Sequence, residues 1–182
     1  MLQTAQTKRK RDRRSGAEFM EFTLVLLPLF AILFVLIDAS WAIFAKSTLM
    51  YAVRTGVRNG ITITGTQATT ANETLTQMVK DTVQNNALGI LRGTSGRAYI
   101  QVHYFAQDSS SSTGLTDVST QSTGNAPGNL MQVSVDSFPL PGLVPRIYNW
   151  FTSADRSATS LNACSADQIE PSGDVPPIGV AP

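Results

Sequence analysis

The sequence predicts an α+β protein. A long N-terminal transmembrane helix extends into an amphipathic segment, and a small exported domain of one helix packed on a short antiparallel sheet follows. Three observations lead to this prediction: an uncharged apolar run at residues 22–37, a helical stripe of apolar residues after residue 70, and later segments in which apolar and polar residues alternate. We expect a basic leader at 1–16, a transmembrane and amphipathic helix at 17–60, an exported domain at 61–170 and a disordered tail at 171–182.

The apolar run alone is too short to cross a bilayer. Its 16 residues would extend about 24 Å as a helix, against a hydrocarbon core of about 30 Å. Continuing the helix to residue 45 gives a length of about 36 Å and places Asp38 inside it. A single spanning helix is therefore predicted, with Asp38 near one membrane border or beside a partner.

Charge is distributed very unevenly along the chain. Six Lys or Arg residues precede Gly16, with Asp12 the single acid among them, and this asymmetry keeps the N-terminus in the cytoplasm. After Gly16 there are eight basic and 12 acidic residues, a side-chain balance of −4. No aromatic residue lies among the basic residues, so we expect membrane lipid as a neighbour and no nucleic-acid partner.

The helix is expected to continue beyond the bilayer as an amphipathic rod. Leu49, Val53 and Val57 recur every four residues, while Arg54 and Arg58 share another face. Gly60 would end the helix, and the two arginines in its last turns would complement the helix dipole.

One helix is predicted in the exported domain, after a connector at 62–70. The spacing of Thr70 and Glu73 is typical of a capping box. The apolar stripe that follows is expected to face the core and to end before Gly89; it consists of Leu75, Met78, Val79, Val83 and Ala87.

Two strands and a third candidate are predicted after this helix. Residues 98–106 and 131–136 alternate clearly, and 157–165 is the third candidate. The segment at 108–129 is rich in Ser, Thr and Gly and predicts a long mobile loop. The Pro- and Gly-rich tail predicts disorder.

A proline-rich apolar stretch at 138–145 is not expected to sustain regular strand pairing, because proline lacks the amide donor. Trp150 and Phe151 follow it and are candidate partner contacts, together with Ile147 and Tyr148. Packing in the core and docking on a partner or on the membrane both remain open for this patch.

The chain offers little for catalysis. It has a single histidine, His103, on the polar side of its predicted strand, and a single cysteine, Cys164, which cannot form an internal disulfide. Metal-ligand spacings and phosphate-binding glycine loops are absent from the sequence. We expect neither enzyme activity nor a cofactor.

Two cleavage sites are possible at the N-terminus. Ser40, Trp41 and Ala42 would suit a secretory signal peptidase, but the apolar run is longer than a usual signal core and contains Pro28. Cleavage after Gly16 would instead remove only the basic leader and keep the helix.

The features that favour the second route occur together between Arg14 and Arg58. They are Gly16, Glu21 five residues later, Phe22, Pro28, Asp38 and the run from Ala52 to Arg58. With these residues the segment resembles the N-terminal module of the TadE-like family, the pilin-like (pseudopilin) proteins of tight-adherence (Flp-type) pilus assembly.

The resemblance implies that a prepilin peptidase cleaves between Gly16 and Ala17 and that the helix is retained. It also implies a role in building or stabilising a pilus, with other pilin-like and inner-membrane pilus assembly proteins as partners. The protein would then lie in the bacterial inner membrane, with its C-terminal domain periplasmic or extracellular.

Glu21 is the acid that most needs an explanation, because a carboxylate at the edge of the hydrocarbon calls for a partner. The new amine of Ala17 would lie within reach of Glu21 on the same or a neighbouring subunit, although solvation among lipid headgroups remains an alternative. Two other functions also stay open: a membrane-tethered binding protein with an uncleaved leader, and a binding protein secreted by cleavage near Ala42.

Overall fold

The computed structural model describes residues 3–109, 111–140, 142, 159–170 and 174–179, with side chains from Gly16 onwards. The chain divides into two compact units. Near the N-terminus the division lies between Trp41 and Ala42. The domain boundaries expected from the sequence stay a prediction.

The first helix, α1, runs from Gln3 to Gly60 and is continuous through Pro28. It ends at the glycine that the sequence indicated. Hydroxyl groups in its apolar part bond to the helix itself: Thr23 Oγ1 donates to the Phe19 carbonyl and Ser40 Oγ to the Leu36 carbonyl, both at 2.8 Å. These polar atoms therefore need no partner outside the helix.

The second unit contains the last turns of α1, three short helices and four strands. The helices are α2 (Gly65–Ala71), α3 (Leu75–Asn86) and α4 (Gly93–Arg97); the strands are β1 (Ile100–Gln107), β2 (Leu115–Asp117), β3 (Leu130–Leu140) and β4 (Thr159–Gln168). The sheet has the order β2-β1-β3-β4 and every pair is antiparallel. A long apolar helix followed by a small α+β domain confirms the predicted fold class.

The starts of the helices differ from the expectation. Residues 62–70, expected to be a connector, include most of α2, whose capping box is formed by Thr64 and Gln67. The capping box of α3 is formed by Thr74 and Gln77, so the box predicted at Thr70 and Glu73 is wrong. Both sites have the Thr-x-x-polar spacing, and tertiary contacts decide which of them begins the helix.

Strand β3 is longer than the predicted segment at 131–136. After a register shift between Val135 and Phe138 it pairs again with β4, as Pro139 opposite Ser160 and Leu140 opposite Thr159. The expectation that residues 138–140 would not pair is therefore wrong. Pairing with β1 ends at Val135, so among the described strands only β4 pairs with β3 at Pro139, and such a position tolerates the missing amide donor.

The segment predicted as a mobile loop, residues 108–129, is partly ordered. It contains β2 and buries Val118, Ser119 and Asn125. Ser119 Oγ accepts a 2.9 Å hydrogen bond from the amide of Tyr104, and the Val118 amide donates to the Tyr104 carbonyl at 2.8 Å. Small polar residues here bond to the backbone of β1, a role that composition alone does not reveal.

The core lies between the end of α1, α3 and one face of the sheet. Its largest fully buried side chains are those of Leu49, Val53, Val57, Leu75, Val79, Val83, Leu91, Ile100, Val102, Tyr104, Met131, Val133 and Val135. Two glycines allow the close approach of α1: a Cβ at Gly56 would collide with the Val83 side chain, and one at Gly60 would lie 2.7 Å from Val79 Cγ2 and 2.8 Å from Met131 Sδ. The glycines thus set how near α1 lies to α3 and the sheet.

Residues 174–179 of the tail, which the composition predicts to be disordered, pack against the second unit. Pro176 and Ile178 are buried, and four backbone carbonyls of the segment accept hydrogen bonds from α2, α3 and Asn125. The other tail residues, 171–173 and 180–182, lie outside the described residues.

Replacing Gly56 with leucine should destabilise the second unit. The new side chain would overlap Val83 in a closely packed helix contact, which we expect to lower the free energy of unfolding by about 2 kcal/mol. Denaturant unfolding of the purified chain in detergent, followed by near-UV circular dichroism, measures this change.

The matched control is Asn85→Ala, at an exposed position of α3, which should stay within about 0.5 kcal/mol of the unchanged chain. Equal stability of the two variants would contradict the packing described here.

Candidate membrane and assembly segment

The apolar part of α1 is largely exposed among the residues that the structure describes. Between Phe19 and Phe44 most of its large apolar side chains are exposed, and Leu26 and Phe34 are half-buried. The most exposed, at 61–76%, include Phe22, Leu24, Leu27, Ile32 and Leu36. One described helix segment, Gly16–Gly60, is long and apolar enough to cross a membrane, and none of its most apolar window is buried. Such a surface is stable only against lipid or other helices, and the helix fits a single-pass membrane protein.

The same helix is covered by protein in the second unit. Ala45, Leu49, Ala52 and Val53 have no exposed surface and Val57 is 2% exposed. The change from bare to covered apolar residues occurs within about one turn, between Phe44 and Ala45. The predicted four-residue stripe of Leu49, Val53 and Val57 is thus the side of α1 that faces the core.

The predicted processing and packing residues all lie on α1. Gly16, Ala17, Glu21 and Pro28 are exposed, as is Phe22. Glu21 and Pro28 are seven residues apart and therefore on the same side of the helix. Within the part of the chain that the structure describes, none of these residues packs against another element, so their packing role remains a prediction.

Asp38 is half-buried and 17 residues beyond Glu21, which places the two carboxylates about 25 Å apart along the helix. They cannot interact with each other on one chain. One lies near each end of the exposed apolar surface, where a border of the hydrocarbon is expected.

An outward-facing groove lies beside the last turns of α1. Its volume is about 790 Å³, and its lining includes Tyr51, Arg54, Arg58, Asn59 and Thr82. Asn59 Nδ2 donates to Thr82 Oγ1 at 2.9 Å and so ties α1 to α3 at this point. Neither arginine forms an ion pair with an acid among the residues that the structure describes.

Tyr51, 62% exposed, was not singled out by the sequence analysis. The available signal was its position three residues before Arg54, on the same side of the helix. Tyr and Arg are the residues most often found at the centre of protein interfaces. The groove is thus a surface that a protein partner could contact.

His103 lies on the outer side of the sheet with its Nδ1 atom 3.3 Å from Asp117 Oδ2. Burial acts to raise the pKa of the Asp117 carboxyl, but hydrogen bonds from Ser119 and the nearby histidine lower it overall. Among the described residues no group of three His, Cys, Asp or Glu side chains could hold a metal ion. Cys164 is exposed and unpaired with another cysteine.

Trp150 and Phe151, the candidate partner contacts, lie outside the described residues, as do Ile147 and Tyr148. Their role stays a prediction. The part of the predicted patch that is described belongs to β3 and includes Phe138, whose ring meets Tyr99 edge-on at 5.4 Å between centroids.

Comparison with known proteins gives one match. A family model described as TadE-like protein matches residues 16–58. No curated protein and no solved structure matches the chain. The matched segment covers the whole bare apolar surface of α1 together with the buried stripe at 49–57. The match agrees with the resemblance found in the sequence, and it covers residues 16–58, about a quarter of the chain.

Proposed function

We propose that the protein is a pilin-like component required for assembly of a tight-adherence (Flp-type) pilus. The observation that carries the proposal is the TadE-like match, which coincides with the part of α1 whose large apolar side chains are mostly exposed among the described residues. Membership of this family suggests involvement in such assembly. Helix packing in the membrane and contacts of the second unit with partners would provide the activity, without catalysis or a cofactor.

We place the protein in the bacterial inner membrane as a single-pass protein. The six basic residues before Gly16 support a cytoplasmic N-terminus, and the acidic balance after it suits export. The second unit would then face the periplasm, where other pilin-like and inner-membrane assembly proteins could reach it.

Maturation by a prepilin peptidase would change the end of the helix rather than remove the helix. Cleavage between Gly16 and Ala17 deletes the six basic side chains and leaves a positive amine on Ala17. Glu21 is four residues further on, one helical turn away, so the amine and the carboxylate could pair within a chain or between neighbours.

Such a pair would fix the register of packed helices. Lipid offers no hydrophobic force that selects one helix alignment over another, whereas a carboxylate at a hydrocarbon border is stable only beside a cation or water. Pro28 supports the same packing, because it leaves the Leu24 carbonyl without its helical donor and a neighbouring helix can supply one.

The first prediction concerns the mature N-terminus. We expect the membrane-bound form to begin at Ala17, because the peptidase would remove the leader and leave α1 in the bilayer. N-terminal sequencing of the protein from purified membranes measures this directly. A start at Met1 would favour an uncleaved tethered protein, and a start at Ile43 a secreted one; either result contradicts the proposed maturation.

The second prediction concerns Glu21. Glu21→Ala should leave membrane insertion intact but lower pilus assembly by about tenfold, the effect of losing one interaction of about 1.4 kcal/mol per contact. Sheared pilus protein, compared with the amount of this protein in the membrane, gives the measurement.

Glu18→Ala is the matched control, because Glu18 is also exposed and acidic but lies about 100° around the helix from Ala17, against about 40° for Glu21. It should assemble nearly normally. Equal assembly by both variants would remove the proposed role of Glu21.

The third prediction concerns the groove at the end of α1. Reversing its charge with Arg54→Glu and Arg58→Glu should lower assembly by about tenfold while the fold is kept, because both side chains are exposed and would face an acidic partner. Arg92→Glu, another exposed arginine of the second unit, is the control and should have little effect. Normal assembly by the double variant would show that partners do not bind in this groove.

A further inference from the structure

Residues 174–179, here called the strap, lie along the second unit in a defined set of hydrogen bonds. The carbonyls of Asp174, Pro176, Pro177 and Ile178 each accept at least one bond. The Gly65 amide donates to the Asp174 carbonyl at 3.2 Å, and Asn125 Nδ2 donates to that of Pro176 at 2.5 Å. The Leu75 amide donates to the Pro177 carbonyl at 2.9 Å. The amide and the hydroxyl of Thr76 both donate to the Ile178 carbonyl, at 3.3 and 2.6 Å.

The surface under the strap, here called the strap groove, consists of Gly65, Thr66, Leu75, Thr76 and Asn125. Toward the strap it presents donors. Leu75 and Thr76 are the first two residues of α3, whose amides have no partner within the helix, while Thr74 Oγ1 accepts from the next free amide, that of Gln77. The strap therefore completes the set of partners that the start of α3 requires.

The strap has the complementary chemistry. Pro176 and Pro177 have no amide hydrogen, so this part of the strap can be buried against a surface of donors without leaving a donor of its own unpaired. Consecutive prolines also hold the chain extended before it binds, which lowers the entropy lost on binding.

Side chains give the strap a direction and a register. At one end, the Asp174 carboxylate accepts bonds from the Thr66 amide and hydroxyl, both at 2.7 Å. Near the other end, Ile178 is 5% exposed. Gly179 has a φ of +79° and lies against Thr74, where a Cβ atom would collide. The second unit thus contacts an acidic residue, a buried aliphatic residue and a glycine at fixed positions of the strap.

We propose that the strap groove is a binding site for an extended peptide of the pattern Asp-x-Pro-Pro-Ile-Gly, and that the strap is its ligand, bound within the chain but able to be replaced by the same peptide in trans. The contacts between strap and groove are hydrogen bonds and packing. The strap itself belongs to no strand or helix, so its release breaks no pairing in the sheet. The inference holds whether or not the protein acts in pilus assembly.

The test uses the full-length chain in detergent with the strap weakened by Asp174→Ala and Ile178→Ser, which leaves the groove unchanged. A fluorescent peptide with the unaltered sequence of residues 170–182 should bind this variant saturably by anisotropy. It should bind the unchanged chain at least about tenfold more weakly, because the attached strap competes at a high effective concentration.

Two controls identify the site. The first control is a peptide that carries Ile178→Ser, which should bind the strap variant about tenfold more weakly than the unaltered peptide does. The second control adds Thr76→Val to the strap variant. It should weaken binding of the unaltered peptide to a similar degree, because the groove loses one hydrogen-bond donor. Hydrogen exchange at the Leu75 and Thr76 amides should speed up in the strap variant and slow again when peptide is added.

A folded strap variant that does not bind the peptide would overturn the proposal. If the strap variant is unfolded, we expect added peptide to refold it, so that it again unfolds cooperatively and the Leu75 and Thr76 amides are again protected from exchange. A variant that stays unfolded with peptide present would overturn the proposal as well. Equal binding of the two peptides would also reject it, because the groove would then not read the Ile178 anchor.

Discussion

The helix α1 has an exposed apolar surface along one part of its length and packs in a protein core along the next. The rest of the structure depends on this change. From Phe19 to Phe44 most of the large apolar side chains of α1 are exposed among the described residues, as contact with lipid would require. Between Phe44 and Ala45 the apolar surface passes from bare to buried, and the same helix becomes a central part of a protein core. The backbone does not change; only the neighbours of the side chains do.

Small residues make the second of these surroundings possible. Ala45 and Ala52 face the core without filling it, and Gly56 and Gly60 let the side chains of α3 and β3 approach the backbone of α1. A larger residue at Gly56 would collide with α3, and one at Gly60 with both α3 and β3, so either change would disturb the packing of α1 on this core. The run from Ala52 to Arg58 therefore serves packing through one side and presents its arginines on the other.

Most of the fold follows from periodicity in the sequence. The burial of Leu49, Val53 and Val57, of the stripe in α3 and of alternate residues in β1 agrees with the patterns of period four and two. The details that escaped prediction depend on contacts distant in sequence. Thr64 and Thr74 rather than Thr70 begin helices, and Pro139 is tolerated because β1 has already ended beside it.

The tail shows the same limit most clearly. Its proline and glycine content is typical of a disordered segment, because such residues cannot form a regular ladder by themselves. The structure supplies free donors at the start of α3 and on Asn125, and against these a segment with few donors becomes favourable. Glu21 and Pro28, by contrast, were found from their positions in the apolar segment, and the contacts expected of them lie outside a single chain.

The distribution of charged residues along α1 follows the same division of the helix. The basic residues cluster before Gly16, the apolar surface follows at once, and the two exposed arginines of α1 come only after the buried stripe has begun. Basic residues thus flank the exposed apolar segment of α1 and are absent from it.

Cysteine accessibility measures the two surroundings of α1 most directly. In a Cys164→Ser background, single cysteines at Ile32, Tyr51 and Val53 would be treated with a membrane-impermeant maleimide in intact spheroplasts. The account predicts labelling at Tyr51 alone, with Ile32 reacting only after the membrane is dissolved and Val53 only after the protein is denatured. Labelling at Ile32 in intact membranes, or at Val53 in the folded protein, would contradict it.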